Sequence, residues 1–582
     1  MRQIAWLLAA GLLGASLQGC SMLSGPSQTD TPASTPTAAP TEPQPVAEIQ
    51  YAEFDTETLY LLLAADIAVQ RGRFDVTLVN YVEAAKLSRD QGVIRRAMHI
   101  AQSLNADNAQ RQLASLWLDV NPDSLEAHRI SAIQHIKRRQ YEDALEHMEY
   151  LLSQGEDADF DNLAALAAGL PQDDQAELLK LYHDLQDRHP GNREIRYGKA
   201  LLQKNTGDVP GALATLSPLL DLRPHYQPAL VLYGDLLYRS GDREGAISHL
   251  RQYARRYPEN RQLGTLYGRA LIDDGQLQAA QDQFERLMRR FPEHPSLKLS
   301  FALVALENGE LALAERHLQE LVDNNHHINE SNFYLGQIAE SADRREDAIV
   351  HYRLVGGGGH YLPAVARMAR LQAEFGQLDD AVMELRELRQ LRPDDARSFW
   401  LIEVNLLTEQ AQHADALGAA SEALQHYPDD INLLYARAMA FDHFERTNEA
   451  EADLRAILDQ EPDNSVALNA LGYILTIRTE RLDEALVLIE RAYDLDPDNP
   501  AILDSVGWVH FRLGNLEKAL QYLQVAYEAY PDPEIAAHYG EALWTAGQRE
   551  QARVIWRRSL REHPDNRHVL ETVRRLGEES VL

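Results

Sequence analysis

The chain has 582 residues, with 56 Lys and Arg against 89 Asp and Glu, so its formal net charge at pH 7 is −33. This charge makes nucleic acid and anionic lipid surfaces poor electrostatic partners and favours basic ones, although an acidic surface also simply keeps a large protein dispersed. The single cysteine excludes a disulfide within the chain, so stability must come from packing.

The first residues have the pattern of an export signal. Arg2 is followed by an apolar run from Ile4 to Leu17, which is shorter than a typical transmembrane helix. The run ends in Leu17-Gln18-Gly19-Cys20, which resembles the lipobox of bacterial lipoproteins. That resemblance implies that residues 1–19 are a signal peptide and that Cys20 is lipidated after cleavage. A plain secretory peptide is the alternative.

The segment after the cysteine predicts a membrane tether. Ser21 is not the Asp that retains lipoproteins at the inner membrane in some bacteria, so the resemblance implies an outer-membrane lipid anchor facing the periplasm. Residues 20–50 are rich in Pro, Ser and Thr and cannot bury enough apolar surface to fold. We therefore expect a lipidated Cys20 followed by a disordered tether, with membrane attachment through the lipid only.

From residue 190 onward, proline recurs at a nearly constant interval. Ten prolines mark this interval, and within this set neighbouring members are 33 to 35 residues apart, except for one gap of 101, which is close to three intervals. A period of about 34 residues is the signature of a repeat array in which each period is one supersecondary unit. The prolines that mark the period are Pro190, Pro224, Pro258, Pro292, Pro393, Pro428, Pro462, Pro497, Pro531 and Pro564.

Each period has the pattern of two amphipathic helices. In the period that ends at Pro258, Gly234 lies twelve residues before Ala246, Ala254 lies eight residues later, and Gly241-Asp242 forms a turn between the halves. Small residues allow two helices to approach closely, and proline ends the second helix because it lacks an N–H and clashes with the preceding turn. One such pair cannot bury its own apolar face, so the units must stack.

The period, the glycine-to-alanine spacing and the terminal proline resemble the tetratricopeptide repeat (TPR) family. The resemblance implies an all-α fold, a right-handed superhelical solenoid of helix-turn-helix repeats. It is strong over residues 191–565, which we predict to be a regular array. The diagnostic residues fade over residues 51–190, where we predict degenerate helical repeats. Residues 566–582 have the pattern of a C-terminal capping helix and tail.

One part of the array lacks its prolines. Between Pro292 and Pro393, the run from Gly356 to Gly359 falls where a period should end. This run indicates either a local break in the superhelix or a flexible helix stop.

The sequence contains no motif for catalysis. HExxH, CxxC, GxSxG, phosphate-loop and dinucleotide patterns are all missing. The pair His326-His327 lies where a unit ends and has no ligand partner at metal spacing, so a solvated turn is the expected interpretation. We predict that the protein is not an enzyme and has no metal site and no cofactor.

The TPR resemblance also indicates where a partner would bind. In this family, the first helix of each unit lines the concave face, on either side of its glycine. An amide beside aromatic surfaces can hold an extended peptide. For Tyr473 and Trp508, packing between units is the alternative. The residues at these positions in the last regular units are Tyr435, Met439, Asn469, Tyr473, Asp504, Trp508, Glu541 and Trp544.

The overall plan resembles a group of outer-membrane TPR lipoproteins that act as protease adaptors in pseudomonads. The resemblance implies a non-catalytic periplasmic scaffold that binds and activates a carboxyl-terminal processing protease and presents substrates such as peptidoglycan hydrolases. The apolar stretch Leu59 to Val69 is a candidate protease-docking or capping helix, with core packing as the alternative. A scaffold of an envelope machine for exopolysaccharide export, pilus assembly or outer-membrane protein assembly is the alternative function, which the length of the array disfavours.

Overall fold

The computed structural model describes residues 53–578. Within this range the regular elements are 31 α-helices and two short 3-10 helices, without any β-strand. The predicted signal peptide, Cys20 and the tether lie outside the described residues, as do the last four residues of the chain. No helix of the described range has both the length and the apolar character that crossing a bilayer requires.

The chain divides into two compact units between His317 and Leu318. The helices that lie wholly in the first unit are α1 (Thr56–Gln70), α2 (Phe74–Ser88), α3 (Gln91–Ser103), α4 (Asp107–Val120), α5 (Leu125–Lys137), α6 (Tyr141–Ser153), α7 (Phe160–Leu166), α8 (Gln172–Arg188), α9 (Arg193–Asn205), α10 (Val209–Leu222), α11 (Gln227–Arg239), α12 (Arg243–Arg256), α13 (Arg261–Asp273), α14 (Leu277–Arg290) and α15 (Pro295–Glu307). The boundary falls within α16 (Leu311–Asp323).

The helices that lie wholly in the second unit are α17 (Ile328–Ser341), α18 (Arg345–Arg353), α19 (Tyr361–Glu374), α20 (Leu378–Leu391), α21 (Ala396–Glu409), α22 (His413–His426), α23 (Ile431–His443), α24 (Thr447–Gln460), α25 (Ser465–Arg478), α26 (Leu482–Leu495), α27 (Pro500–Arg512), α28 (Leu516–Ala529), α29 (Pro533–Thr545), α30 (Arg549–Glu562) and α31 (Arg567–Arg575). The two 3-10 helices are Ala167–Gly169 and Pro393–Asp395. Inside each unit, most consecutive helices pack against each other, and first helices of several neighbouring repeats also meet. The short helix α7 packs against α9, as α8 also does.

The recurring proline and the residue two positions after it set the boundary between repeats. The helix α12 ends at Arg256, and Pro258 follows in the turn. The side chain of Asn260 then accepts a hydrogen bond of 3.0 Å from the backbone N–H of Leu263 and caps α13. Proline thus ends one helix while asparagine satisfies a free N–H group at the start of the next.

The glycine in the first helix of a repeat permits close packing with the second helix. A methyl group added to Gly268 would lie 2.7 Å from the ring of Phe284, which is fully buried. In the last repeat, a methyl group on Gly540 would overlap the indole of Trp556. Each of these large side chains therefore occupies the space that its glycine leaves open.

The glycine run between α18 and α19 is held at its first residue. The helix α18 has only nine residues and ends at Arg353. The N–H of Gly356 donates to Oδ1 of Asn329 at 2.9 Å, and its carbonyl accepts a hydrogen bond of 3.2 Å from Nη1 of Arg392. The run ends a short second helix, and the predicted break in the superhelix stays a prediction.

The all-α fold of helix-turn-helix repeats that the period predicted is confirmed. The last helix, α31, contributes Val569 and Val573 to a cluster around Trp556, and both valines are fully buried. The limits of the degenerate and regular parts of the array stay predictions.

Candidate peptide-binding site

The predicted partner-binding residues lie on four first helices of the second unit. Their side chains are buried or half-buried rather than fully exposed. They lie in pairs, with Tyr435 and Met439 on α23, Asn469 and Tyr473 on α25, Asp504 and Trp508 on α27, and Glu541 and Trp544 on α29.

Three of these residues meet around a histidine that is not among the predicted residues. The ring of His538, on α29, stacks on Trp508 with 3.9 Å between the ring centroids and an interplanar angle of 17°. Its Nδ1 lies 2.9 Å from Oδ2 of Asp504. The ring of Tyr473 lies 6.1 Å from it. We call Tyr473, Asp504, Trp508 and His538 the Trp508 cluster.

The Asp504–His538 pair is a buried acid–base pair. Burial raises the pKa of the Asp504 carboxyl. Burial also opposes protonation of His538, but the charge of Asp504 and its hydrogen bond outweigh this effect and raise the pKa of the imidazole. Because a buried charge is costly without a partner, each member of the pair depends on the other. The pair therefore connects α27 to α29 as an obligatory contact.

A second hydrogen bond links the helices on either side of α27. The hydroxyl of Tyr473 on α25 donates to Oε1 of Glu534 on α29 at 2.5 Å. Burial, followed by the charges of Glu534 and Asp504, raises the pKa of Tyr473 well above its ordinary value. The phenol therefore stays protonated and acts as a donor. Side chains of the Trp508 cluster thus connect first helices from three successive repeats.

Two polar atoms of the predicted site have no hydrogen-bond partner among the described residues. They are Nε1 of Trp508, a donor, and Oδ1 of Asn469, an acceptor, and both are buried. A buried polar atom left unpaired typically costs about 1–3 kcal/mol. The site therefore holds an unused donor and an unused acceptor, the two types of group that pair with a peptide backbone.

Glu541 and Trp544 make contacts near the C-terminal end of the array. The buried carboxylate of Glu541 forms an ion pair with Arg575 on α31, and its Oε1 accepts a hydrogen bond of 2.7 Å from Nη1. The ring of Trp544 lies 6.1 Å from that of Trp556 and has the guanidinium of Arg549 at 4.5 Å. Both predicted residues thus contact the neighbouring second helix or the last helix.

Tyr435 and Met439 occupy a third environment. Both side chains are partly buried and pack against the apolar core of the second unit. Burial raises the pKa of Tyr435, so its hydroxyl stays protonated. The structure therefore brings Tyr473, Asp504 and Trp508 together around His538, while the predicted residues on α23 and α29 have other neighbours. Their role in binding a partner stays a prediction.

The missed histidine has a signal in the sequence, because it lies one repeat from its partner. Asp504 and His538 are 34 residues apart, and so are Glu541 and Arg575. Complementary residues separated by one period lie on equivalent helices of adjacent repeats and can meet. Complementary residues 34 positions apart therefore predict both contacts. Positions counted from the glycine of each repeat do not predict them.

The described residues contain no group of three or more His, Cys, Asp or Glu side chains placed to hold a metal ion. The predicted turn at His326 and His327 lies between α16 and α17, where His326 is exposed.

Comparisons with known proteins agree with the repeat pattern. Tetratricopeptide repeat models match residues 207–270, 265–325, 299–355 and 463–532. The TPR repeat-containing protein PA4667 of Pseudomonas aeruginosa is 39% identical over 540 residues, which cover 93% of this chain and 90% of that protein.

Two solved structures give low similarity scores. A tetratricopeptide repeat protein from Parabacteroides merdae is 13% identical with a TM-score of 0.35, and the match covers 42% of this chain and 98% of that one. The APC/C hetero-tetramer Cut9-Hcn1 is 12% identical with a TM-score of 0.33, and the match covers 90% of this chain and 96% of that one. The family assignment rests instead on the sequence relative, whose identity and coverage show that this chain belongs to the tetratricopeptide repeat family.

Proposed function

We propose that this protein is a non-catalytic periplasmic adaptor, attached to the outer membrane through a lipid on Cys20. In this proposal it binds and activates a carboxyl-terminal processing protease and presents substrates such as peptidoglycan hydrolases to it. The general part of this function, a scaffold for protein–protein interaction, follows from membership of the TPR family. The localisation, the protease and the substrates are the proposed part.

The Trp508 cluster supports binding of an extended segment of a partner protein. The stacked rings of Trp508 and His538, which are only 9% and 8% exposed, lie beside a tyrosine, and the unused polar atoms belong to Trp508 and Asn469. Aromatic rings cover apolar side chains of a peptide, while a donor and an acceptor pair with its backbone. Because both atoms are buried, binding requires these side chains to move and expose them to the backbone of the peptide. This combination is the observation that carries the proposed peptide site.

The first helix supports a separate docking surface. On α1, Ala65 and Ala68 are buried, so core packing accounts for that side of the helix. Leu63 is 64% exposed and Tyr60 is 69% exposed, and Leu59 and Ile67 are also exposed. An exposed apolar stripe of this kind typically marks a protein–protein contact. We assign the protease to this stripe, as the sequence suggested for Leu59 to Val69.

The order of the sequence features supports the same proposal. A signal with a lipobox, a Pro-rich tether and a long repeat array together resemble the pseudomonad adaptor LbcA, a lipoprotein that binds and activates the protease CtpA. The similar protein from Pseudomonas aeruginosa, which is itself a pseudomonad protein, is compatible with this resemblance. The net charge of −33 makes nucleic acid an unsuitable partner.

Affinity purification from periplasmic extract tests the proposal. The bait is the full chain with Cys20→Ala, and the bound proteins are identified by mass spectrometry. We expect a carboxyl-terminal processing protease together with cell-wall hydrolases, and we expect Leu63→Asp in the same bait to remove the protease. Recovery of exopolysaccharide-export, pilus or outer-membrane assembly components without a protease would contradict the adaptor and favour a scaffold for an envelope machine.

A further inference from the structure

Two pairs of arginines lie near each other on consecutive second helices of the first unit. Arg251 and Arg255 are on α12, and Arg286 and Arg290 are on α14. Each pair has a spacing of four residues, which places both side chains on one face of its helix. The first helix α13 lies between the pairs in sequence and contacts both second helices.

A cavity of about 360 Å³ lies between these helices. Arg255, Arg286 and Arg290 line it, together with Tyr267 and Asn260. No Asp or Glu is among its lining residues in the described part of the chain. We call this cavity and its three arginines the arginine groove.

The polar groups of the arginine groove are ordered by hydrogen bonds. Nε of Arg251 donates to the hydroxyl of Tyr267 at 3.1 Å. Nη2 of Arg286 donates to Oε1 of Gln283 at 2.9 Å, and the amide of Gln283 donates to the carbonyl of Gly264 at 3.2 Å. The side chains of Arg255 and Arg290 are exposed and form no hydrogen bond or ion pair with other described residues, so their guanidinium groups are available to a ligand.

The charge arrangement is unfavourable for the free protein. Like charges spaced four residues apart on a helix repel each other and destabilise that helix. Among the described residues, the four arginines form no ion pair with a carboxylate. Elsewhere the chain uses the opposite arrangement: Arg455 on α24 lies four residues after Glu451 and 2.7 Å from it, and also pairs with Glu484. Three of these arginines meet at one cavity whose described lining contains no carboxylate, in a chain with a net charge of −33. The arginine groove is therefore a local site of positive charge that an anionic group of a partner can neutralise.

We propose that the arginine groove binds the carboxylate side chains of an acidic segment in a protein partner. The planar guanidinium matches a carboxylate with two parallel hydrogen bonds, and the volume lies within the range of about 300–1,000 Å³ typical of ligand sites. The arginines of the groove lie on second helices, and none of the residues that line the groove belongs to the Trp508 cluster. This proposal rests on the general function of the TPR family, which is to bind other proteins. It does not depend on the protease proposed above.

Fluorescence anisotropy of a fluorescein-labelled hexaglutamate peptide tests this groove. The full chain in a non-ionic detergent is titrated at low ionic strength, with hexaglutamine as the uncharged probe. The variant Arg255→Gln/Arg290→Gln removes two charges whose side chains make no hydrogen bond to described residues. We expect hexaglutamate to bind the wild type and to bind this variant at least about tenfold more weakly, because two charge-assisted contacts are lost.

A matched control separates the groove from general charge. The variant Arg243→Gln/Arg261→Gln removes the same charge from α12 and α13 at positions that do not line the cavity, so we expect affinity within about twofold of wild type. Equal affinity for all three proteins, or no binding to the wild type, would overturn the proposal. Competition with glutarate and glycerol 3-phosphate at equal charge distinguishes carboxylate from phosphate. Displacement mainly by glycerol 3-phosphate would indicate a lipid headgroup and contradict the acidic segment.

Discussion

The imidazole of His538 and the carboxylate of Asp504 lie 2.9 Å apart, although one full repeat separates them in the sequence. Both side chains are almost fully buried, and the pair connects the first helices of two adjacent repeats. The same histidine stacks on Trp508, so the contact also fixes the position of the aromatic rings in the proposed peptide site.

Removal of one member of this pair should destabilise the second unit strongly. We expect His538→Ala to lower the free energy of unfolding by on the order of 3 kcal/mol, because Asp504 would be left buried without its partner. Asp504→Ala/His538→Ala should cost less than the sum of the two single variants, since the interaction is lost only once. Urea unfolding followed by circular dichroism measures all three. Strict additivity would show that the two groups are not coupled.

Glycine at the close helix contact should be irreplaceable. In Gly268→Ala, the new methyl group would lie 2.7 Å from the Phe284 ring, which is rigid and buried. We expect a loss of about 1–3 kcal/mol from overpacking. The control is Gly418→Ala on α22, where nothing lies within 4 Å, and this change should stabilise by about 0.5–1 kcal/mol. Thermal unfolding of both variants gives the comparison, and equal shifts would exclude steric contact as the reason.

Acidification should weaken the first unit through His147. Burial, followed by the neighbouring His128 and His135, lowers the pKa of His147 to about 4 from an ordinary value of 6.5. The folded state thus resists a proton that the unfolded chain accepts. Neutral His147 therefore contributes fully to the stability of the folded state above pH 6.5. This contribution is lost as the pH falls from 6.5 towards 4, because the unfolded chain binds a proton there and the folded chain does not.

The variant His147→Gln isolates this effect. We expect its melting temperature to fall less than that of the wild type between pH 7 and pH 5, whereas His326→Gln, a change in an exposed turn, should follow the wild type. Identical pH profiles for all three proteins would show that His147 does not determine the acid sensitivity.

The apolar stripe of α1 should determine protease binding. Leu63→Asp places a charge in the centre of the stripe, so we expect binding of the carboxyl-terminal processing protease to weaken at least about tenfold. Leu222→Asp on α10 is the matched control, since Leu222 is also a strongly exposed leucine. Surface plasmon resonance with immobilised protease measures both. Unchanged binding of Leu63→Asp would place the docking surface elsewhere.

The helix pairs could be predicted from the sequence because their determinants are local. Pro258 ends a helix and Asn260 caps the next one, and both effects depend only on residues close by in the sequence. The role of the glycine in the first helix was likewise predictable, because a residue without a side chain lets the two helices of a repeat approach closely.

The side-chain network of the candidate site was only partly predictable. Trp508 and Tyr473 were placed on first helices by the period, but their contact with His538 depends on side-chain directions in two repeats. Glu541 was predicted to face a binding partner, but Arg575 from the last helix forms an ion pair with it. The unpaired atom of Asn469 is equally a property of the packed structure, not of the residue type.

The most direct test of the central claim is a reconstituted cleavage reaction. Purified carboxyl-terminal processing protease is incubated with a peptidoglycan hydrolase, with and without the full chain, and the cleavage rate is measured alongside the Leu63→Asp variant. The adaptor predicts several-fold faster cleavage with the wild-type chain and little stimulation by the variant. A cleavage rate that the wild-type chain leaves unchanged would contradict the adaptor function.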